Sequence, residues 1–290
     1  MGVDWARRVG TFCVAAPLAI YLLCSATGTA ALTMLIQTGC LLEFRLNVCP
    51  QILQHMAGRK PAHAPWLHAL TLAGLGALVA AAATFDKWTH DATAAGVYFA
   101  VFLLHLLMAK GQREPTLHAG LLSLVLDLVA LCYIVHGFGH AILVRQASST
   151  YGMGLQIMTV ACSWICDTGA LVAGSLFGNA KLLAAISPGK TVAGGLGGIV
   201  FSVATVVGAS LLPPAYACLP PLSLLHQVLL GIAMGIACIA GDLVESYLKR
   251  VAQVKDSGVF FPGHGGCLDR MDSLLFVAPL MYYWTTAMGI

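Results

Sequence analysis

The sequence predicts an all-α membrane protein, a polytopic transmembrane helical bundle of about nine spans. Of its 290 residues, 59% are hydrophobic and 9% are charged, and the mean hydropathy is +0.85. A soluble domain carries about 25% charged residues, so water is not the main solvent of this chain. The apolar stretches are long enough for helices that cross a bilayer core, which takes roughly 20 residues.

The first two predicted spans share one long apolar run, which we divide at Thr27-Gly28-Thr29. With nine spans, 13 of the 15 Lys and Arg residues lie on one side of the membrane and only Lys87 and Arg145 on the other; joining the first two spans would change the split to 11 against 4. The positive-inside rule then predicts a cytoplasmic N-terminus and cytoplasmic loops at 179–191 and 248–272. The predicted spans are 11–27, 29–43, 66–84, 95–109, 117–140, 152–178, 192–213, 223–247 and 273–290.

The two halves of the chain differ in their polar residues. Residues 1–150 carry spans joined by loops with scattered His, Arg and Lys, whereas residues 151–290 carry almost all of the clustered polar residues. We therefore predict one integral membrane domain, with N-terminal transmembrane spans in 1–150 and a C-terminal half, 151–290, that holds the chemistry.

Small residues indicate where helices pack closely. Gly174 and Gly178 are four residues apart and share a helix face, as do Gly231 and Gly235, and such faces also permit a homodimer. The glycines between 194 and 198 could either pack helices or let a phosphate approach the backbone, and the sequence leaves both interpretations open.

Cysteine and histidine give weaker signals. The ten cysteines form no Cys-x-x-Cys pair and mostly lie in or beside apolar spans, so we expect small buried side chains rather than a metal or disulfide framework. His136 and His140 are four residues apart and could face one metal ion. Because no acid or third ligand lies near them in the sequence, we expect no metal site there.

The densest polar run, residues 246–272, lies between two predicted spans. Its 27 positions hold four cations, three carboxylates, a histidine and four glycines. Glycine and proline break helices, so polar groups can converge here. Such a mixture suits a metal ion bound to phosphates, because Mg²⁺ takes carboxylate and phosphate oxygens while Lys and Arg hold the remaining phosphate charge.

Acids at or inside spans are further candidates, because they are costly there unless they face water, a partner or a metal ion. Asp242 ends an apolar run and Asp167 lies inside another. Asp242, Glu245 and Lys249 share one helix face with Ser246. For Glu245 we favour an i,i+4 salt bridge with Lys249, and for Asp242 a functional role.

The polar run resembles the signature of the phosphatidate cytidylyltransferase (CDP-diacylglycerol synthase) family: S-x-x-K-R, four residues, K-D, then H-G-G, then D-R-x-D. Every fixed position matches at the family's spacing; Cys267 departs at a packing position where the family usually has an aliphatic residue. The matching residues are Ser246, Lys249, Arg250, Lys255, Asp256, His264, Gly265, Gly266, Asp269, Arg270 and Asp272.

A second block looks like the family's D-T-x-A-Y, G-x-x-F-G and S-P-x-K-T-x-E-G elements. Leu171 stands where the family often has Tyr, and Ala193 where it usually has Glu. The resemblance covers about residues 150–275. The second block comprises Asp167-Thr168-Gly169-Ala170, Gly174-x-x-Phe177-Gly178 and Ser187-Pro188-Gly189-Lys190-Thr191.

The resemblance implies that phosphatidate and CTP react to give CDP-diacylglycerol and pyrophosphate, with Mg²⁺ as cofactor and a second cation left open. The phosphatidate phosphate is already anionic, so catalysis needs positioning and charge neutralisation rather than a strong base. The implied partners are CTP, phosphatidic acid and the lipid bilayer of a bacterial inner membrane or an organelle. Nucleic-acid binding is not expected, because the cations are dispersed and paired with acids.

The resemblance and the residue chemistry together assign roles. Asp242 and Asp269 are the first choice of metal ligands and Asp256 and Asp272 the second, although Asp272 could instead cap the last span. Lys190 is expected to contact phosphate near the metal, so Lys190, Asp242 and Asp269 are the predicted catalytic residues. The predicted substrate-binding residues are Asp167, Ser187, Thr191, Lys249, Arg250, Lys255, His264 and Arg270; Ser187 and Thr191 could instead cap helices, and His264 could instead shape its loop.

Two other functions stay open at this stage. A CTP-dependent polyprenol or phytol kinase would transfer the γ-phosphoryl group to an alcohol, although the full signature favours the cytidylyltransferase. An inactive membrane scaffold or a transporter would also carry acids within spans, and the missing Glu at Ala193 keeps that alternative in view.

Overall fold

The computed structural model describes residues 17–58, 65–110, 114–212, 218–260 and 265–289, and most of these are helical, including the short stretch 17–23. Contacts divide the chain into two compact units. The first consists of Met1–Ile142 and Leu248–Arg270, and the second of Leu143–Tyr247 and Met271–Ile290. Most of the polar run therefore belongs to the unit that the N-terminal spans build.

Capping side chains fix the starts of two helices of the first unit. Ser25 Oγ accepts the Gly28 N–H at 2.9 Å, and Asp86 Oδ1 accepts the Thr89 N–H at 2.7 Å. A π-helical turn, Phe44–Val48, joins α1 to α2, and a second, Leu131–Val135, joins α5 to α6. The helices are α1 (Ala26–Glu43), α2 (Cys49–Ala57), α3 (Pro65–Ala82), α4 (Lys87–Ala109), α5 (Glu114–Ala130) and α6 (His136–Gln146), whose last residues enter the second unit.

The second unit adds a small β-hairpin to its helices, which the predicted all-α fold did not include. Between α7 and α8, β1 pairs with β2 in antiparallel register, with Lys181 opposite Thr191. Pro188 and Gly189 disfavour a helix in this polar connection, and pairing the two short strands satisfies their backbone groups. The elements are α7 (Gly152–Phe177), β1 (Lys181–Leu183), β2 (Ser187–Thr191), α8 (Val192–Ser210), α9 (Leu224–Val251), the one-turn α10 (Leu268–Met271) and α11 (Leu274–Ala287).

Glycines let the helices of the second unit approach closely. A Cβ at Gly231 would crowd the α8 backbone at Val203, as the predicted packing face requires. A Cβ at Gly194 would lie 2.9 Å from the carbonyl oxygen of Ala170 on α7, so this glycine at the start of α8 serves helix packing. Of the nine cysteines within the described residues, six are buried, which agrees with the prediction of small buried side chains. The core includes Leu155, Met158, Met234, Val277 and Met281, each at most 3% exposed.

Among the described residues, six helices are long and apolar enough to cross a membrane, which indicates an integral membrane protein. The predicted total of nine spans is not confirmed. α1, at predicted span 29–43, is less apolar than these six, and α11, at predicted span 273–290, has only 14 residues. Residues 11–16 of the first predicted span lie outside the described residues. The six candidates are α3, α4, Leu117–Gln146, α7, α8 and α9.

Candidate active site

Three carboxylates come together in the second unit. Asp242 and Glu245 lie one turn apart on α9 and Asp272 lies just before α11, and one oxygen of each is within 4.8 Å of the others. Glu245 and Asp272 are buried, at 1% and 7% exposure, whereas Asp242 is partly exposed. Gly241 permits this approach, because a Cβ there would crowd the backbone of Asp272. The unit thus gathers three acids at one point, with Asp242 at its accessible edge.

Lys190 projects from β2 and forms an ion pair with Asp242, and both side chains are partly exposed (26% and 27%). The start of α8 fixes its position: Thr191 is the N-cap, and its Oγ1 accepts the Gly194 N–H at 3.0 Å. The capping alternative for Thr191 is therefore confirmed, whereas Ser187 begins β2 and is half-buried. The hairpin holds a cation beside the carboxylate cluster.

The donor set of this cluster fits a hard divalent cation. Three carboxylates offer oxygen ligands alone, which is the set that Mg²⁺ prefers, and Lys190 pairs with one of them, Asp242. Glu245 was not among the predicted ligands. Its place one turn from Asp242, on the same helix face, was the available signal.

Asp269, predicted to be a metal ligand, organises the polar loop within the first unit. Its carboxylate accepts hydrogen bonds from Lys249 Nζ at 2.8 Å, from the Ser257 N–H at 3.0 Å and from the Gly266 N–H at 2.9 Å. These contacts join the end of α9 to both ends of the loop. Gly265 has a φ of +88°, which favours glycine. The metal-binding role of Asp269 stays a prediction.

Glu43, at the end of α1, is a candidate that the sequence analysis missed. Its carboxylate is 7% exposed and accepts four hydrogen bonds from the polar loop. A Cβ at Gly258 would crowd this carboxylate, so the glycine leaves room for it. The signal was available, because Glu43 ends an apolar stretch just as Asp242 does. The donors are Ser257 Oγ (3.2 Å) and the N–H groups of Phe260 (3.1 Å), Cys267 (2.6 Å) and Leu268 (3.2 Å).

The remaining predicted site residues are mostly exposed, and their roles stay predictions. Asp167 is exposed on α7, as is Leu171 one turn further on. Ala193 is half-buried in the first turn of α8. His264 lies outside the described residues. The exposed candidates in the polar run are Arg250, Lys255, Asp256 and Arg270.

Comparison with known proteins identifies the family. The model of the cytidylyltransferase family matches residues 6–288. The chain belongs to this family. A protein of Synechocystis sp. that is named phosphatidate cytidylyltransferase is 45% identical over 134 residues, which are 46% of this chain and 43% of that protein. A protein of the same name in Bacillus subtilis is 34% identical over 186 residues, 64% of this chain and 65% of that protein. One in Staphylococcus epidermidis is 36% identical over 154 residues, 53% of this chain and 56% of that protein. The resemblance drawn from the two motif blocks is confirmed.

In this member of the cytidylyltransferase family, the matched stretches span 43% to 65% of the length of those relatives. Its signature residues divide between the two units. Lys190, Asp242 and Asp272 belong to the second unit, and Lys249 and Asp269 to the first. The signature residues therefore contribute to two features, the carboxylate–lysine cluster and the polar loop, whose backbone donates to Asp269 and to Glu43.

Proposed function

We propose that this protein is a CTP:phosphatidate cytidylyltransferase that makes CDP-diacylglycerol and pyrophosphate. The observation that carries the proposal is the ion pair of Lys190 with Asp242 at the edge of a three-carboxylate cluster. Membership of the cytidylyltransferase family and relatives named phosphatidate cytidylyltransferase support it. The apolar helices suit a substrate that acyl chains hold in the bilayer.

The proposed reaction brings two polyanions together, so positioning and charge neutralisation decide its rate. A phosphate oxygen of phosphatidate attacks the α-phosphorus of CTP in line. A new bond forms between this oxygen and the α-phosphorus. The bond between the α-phosphorus and the oxygen that bridges to the β-phosphate breaks, and pyrophosphate leaves. The attacking phosphate is already anionic, so the protein needs to supply no strong base.

Asp242, Glu245 and Asp272 are the residues that would hold Mg²⁺, and Asp269 and Asp256 remain the further candidates that the family signature supplies. When bound, Mg²⁺ supplies positive charge that offsets the charge developing on the α-phosphate and on the departing pyrophosphate. The number of cations is left open.

Lys190 is assigned to a phosphate oxygen beside the cluster. Asp242 holds the Lys190 ammonium at this edge, and replacing that contact by one to a phosphate oxygen keeps the lysine paired. Lys249 is fixed by Asp269 and gives the polar loop a positioned cation. The other residues assigned to triphosphate or lipid phosphate are Arg250, Lys255, His264 and Arg270. Ser187 and Thr191 are assigned to hydrogen bonds with the substrates, and Asp167 to a basic residue or a substrate group.

We also propose that the N-terminus and the two polar loops face the cytoplasm, because CTP is soluble and the basic residues favour that side. Phosphatidate would enter sideways from the lipid with its headgroup at the interface. The membrane is a bacterial inner membrane or an organelle membrane, and tight glycine faces permit a homodimer.

Pyrophosphate release tests the proposal. Purified protein in detergent receives CTP, phosphatidate and Mg²⁺, and we expect release that requires both substrates. Asp242→Asn should lower the rate by about a hundredfold or more. Asp86→Asn, at the N-cap of α4 where Asn caps equally well, should leave it unchanged. Folded wild-type protein that releases no pyrophosphate contradicts the proposal.

A further inference from the structure

Three histidines of the first unit form a cluster that the proposed reaction does not use. His90 lies near the start of α4, and His136 and His140 lie one turn apart on α6. One ring nitrogen of each is within 4.8 Å of the other two. The sequence showed the α6 pair but no third ligand, because α4 supplies that ligand from a distant part of the chain.

Hydrogen bonds determine which ring nitrogens face the cluster. His90 Nδ1 lies 2.9 Å from Asp91 Oδ1, so Nδ1–H donates to the carboxylate and Nε2 carries the lone pair. His140 Nδ1 lies 2.8 Å from the His136 carbonyl oxygen, which assigns the same tautomer. Within the described residues, His90 Nε2 is buried and has no hydrogen-bond partner. A carboxylate or carbonyl on the far ring nitrogen is the usual way in which proteins orient a histidine that binds metal.

The backbone of α6 makes room for this cluster. A Cβ at Gly139 would overlap the His90 ring at Nε2, so the glycine lets that ring reach α6. The π-helical turn Leu131–Val135 directly precedes His136, and such turns often occur at functional sites. A small cavity that is lined in part by Tyr98 and His136 borders the cluster.

We propose that His90, His136 and His140 form a binding site for a divalent late transition metal such as Zn²⁺. Three neutral imidazoles suit Zn²⁺, Cu²⁺ or Ni²⁺, whereas Mg²⁺ prefers oxygen ligands. Zn–N bonds of about 2.0–2.1 Å in a tetrahedral site place the nitrogens about 3.3 Å apart. Rings whose nitrogens lie within 4.8 Å reach that spacing by a small movement.

The surroundings of the cluster tolerate a bound cation. Asp91 is 49% exposed, contacts the His90 ring and also pairs with Lys87 Nζ at 2.5 Å. Its negative charge lowers the cost of a divalent ion near the end of a span. The distribution of basic residues predicts that Lys87 faces away from the cytoplasm, so the metal would enter from that side.

A second cluster shows which feature sets the first apart. His68, His105 and Asp127 also bring donor atoms together. There Arg45 Nη1 lies 3.3 Å from Asp127 Oδ1, and Arg45 Nη2 donates to Ser123 Oγ at 2.6 Å. A guanidinium fixed beside the carboxylate opposes a metal ion, so this second cluster is an ion-pair network and carries no proposal.

Metal analysis tests the histidine site without any activity measurement, so its outcome is independent of the proposed function. Protein made without a polyhistidine tag is loaded with Zn²⁺ or Co²⁺, desalted in detergent and analysed for metal content. We expect wild-type protein to keep one ion per chain and Co²⁺ to show the absorption of tetrahedral nitrogen ligation. Zn²⁺ should also raise the thermal midpoint of unfolding.

Four variants sharpen the test. His136→Gln, at a half-buried position, and His90→Gln should each lose the bound ion and the thermal shift. Asp91→Ala should weaken binding by about 10–100-fold, because it removes the group that orients His90. His118→Gln, on the exposed surface of α5, should bind as wild type does. Wild-type protein that keeps no stoichiometric metal, or folded histidine variants that keep as much as wild type, would overturn the proposal.

Discussion

The carboxylate of Glu43 accepts the Cys267 N–H at 2.6 Å, although 224 residues separate them in the sequence. Three more donors from the same loop contact Glu43. The polar loop that carries the family signature is thus shaped by an acid at the end of α1. This explains why the loop belongs to the first unit although its sequence lies near the end of the chain.

Replacing Glu43 by Gln should loosen the polar loop and lower activity. An amide has one acceptor oxygen where the carboxylate has two, so buried donors of the loop lose their partner. Losing buried hydrogen bonds to a charged group costs about 2–4 kcal/mol. Denaturant unfolding and limited proteolysis measure the effect, with the exposed Asp86→Asn as control. A Glu43→Gln variant that is as stable and as protease-resistant as wild type would show that the carboxylate does not order the loop.

Lys190→Gln should lower kcat/KM for pyrophosphate release by about a hundredfold with little change in stability, because the lysine is partly exposed and is assigned to phosphate. Lys181→Gln is the matched control, since Lys181 is exposed on the paired strand of the same hairpin. Equal rates for the two variants would remove Lys190 from the site.

Asp272→Asn should raise the Mg²⁺ concentration needed for half-maximal activity by about tenfold or more, because Asp272 is buried within the carboxylate cluster. Asp256→Asn should change that concentration far less, because Asp256 is exposed in the polar loop. Mg²⁺ titrations at saturating CTP and phosphatidate measure both. The reverse order would favour the polar loop as the metal-binding element.

Gly265→Ala should destabilise the protein by about 1–2 kcal/mol, because its φ of +88° strains any residue with a Cβ. Gly189→Ala, where a Cβ would meet nothing within 4 Å, should cost much less. Denaturant unfolding of the two variants measures the difference, and equal stabilities would mean that the loop relaxes without glycine.

Much of the site could be predicted, because several of its residues can be identified from the sequence immediately around them. Asp242 ends an apolar helix, where an acid is costly, and Lys190 and Asp272 stand at fixed positions of specific motifs. The structure brings these three together in one cluster.

The contacts of the other site residues could not be predicted, because spacing along one element says nothing about the element that packs against it. Glu43 and His90 meet their partners only through contacts between distant segments. The hairpin of β1 and β2 could not be predicted either, because the five residues of β2 include a proline and a glycine and show no alternation of apolar and polar side chains. α11 carries the apolar composition of a span without its length.

Following the individual phosphates of CTP tests the central claim most directly. With CTP labelled at the α-phosphorus, we predict that label enters the lipid phase as CDP-diacylglycerol only when phosphatidate is present, and that Asp242→Asn slows this transfer by about a hundredfold or more. CTP labelled at the γ-phosphorus should leave the lipid unlabelled and yield labelled pyrophosphate. Transfer of γ-label to a lipid alcohol, with none from the α-position, would contradict the proposal and identify a kinase.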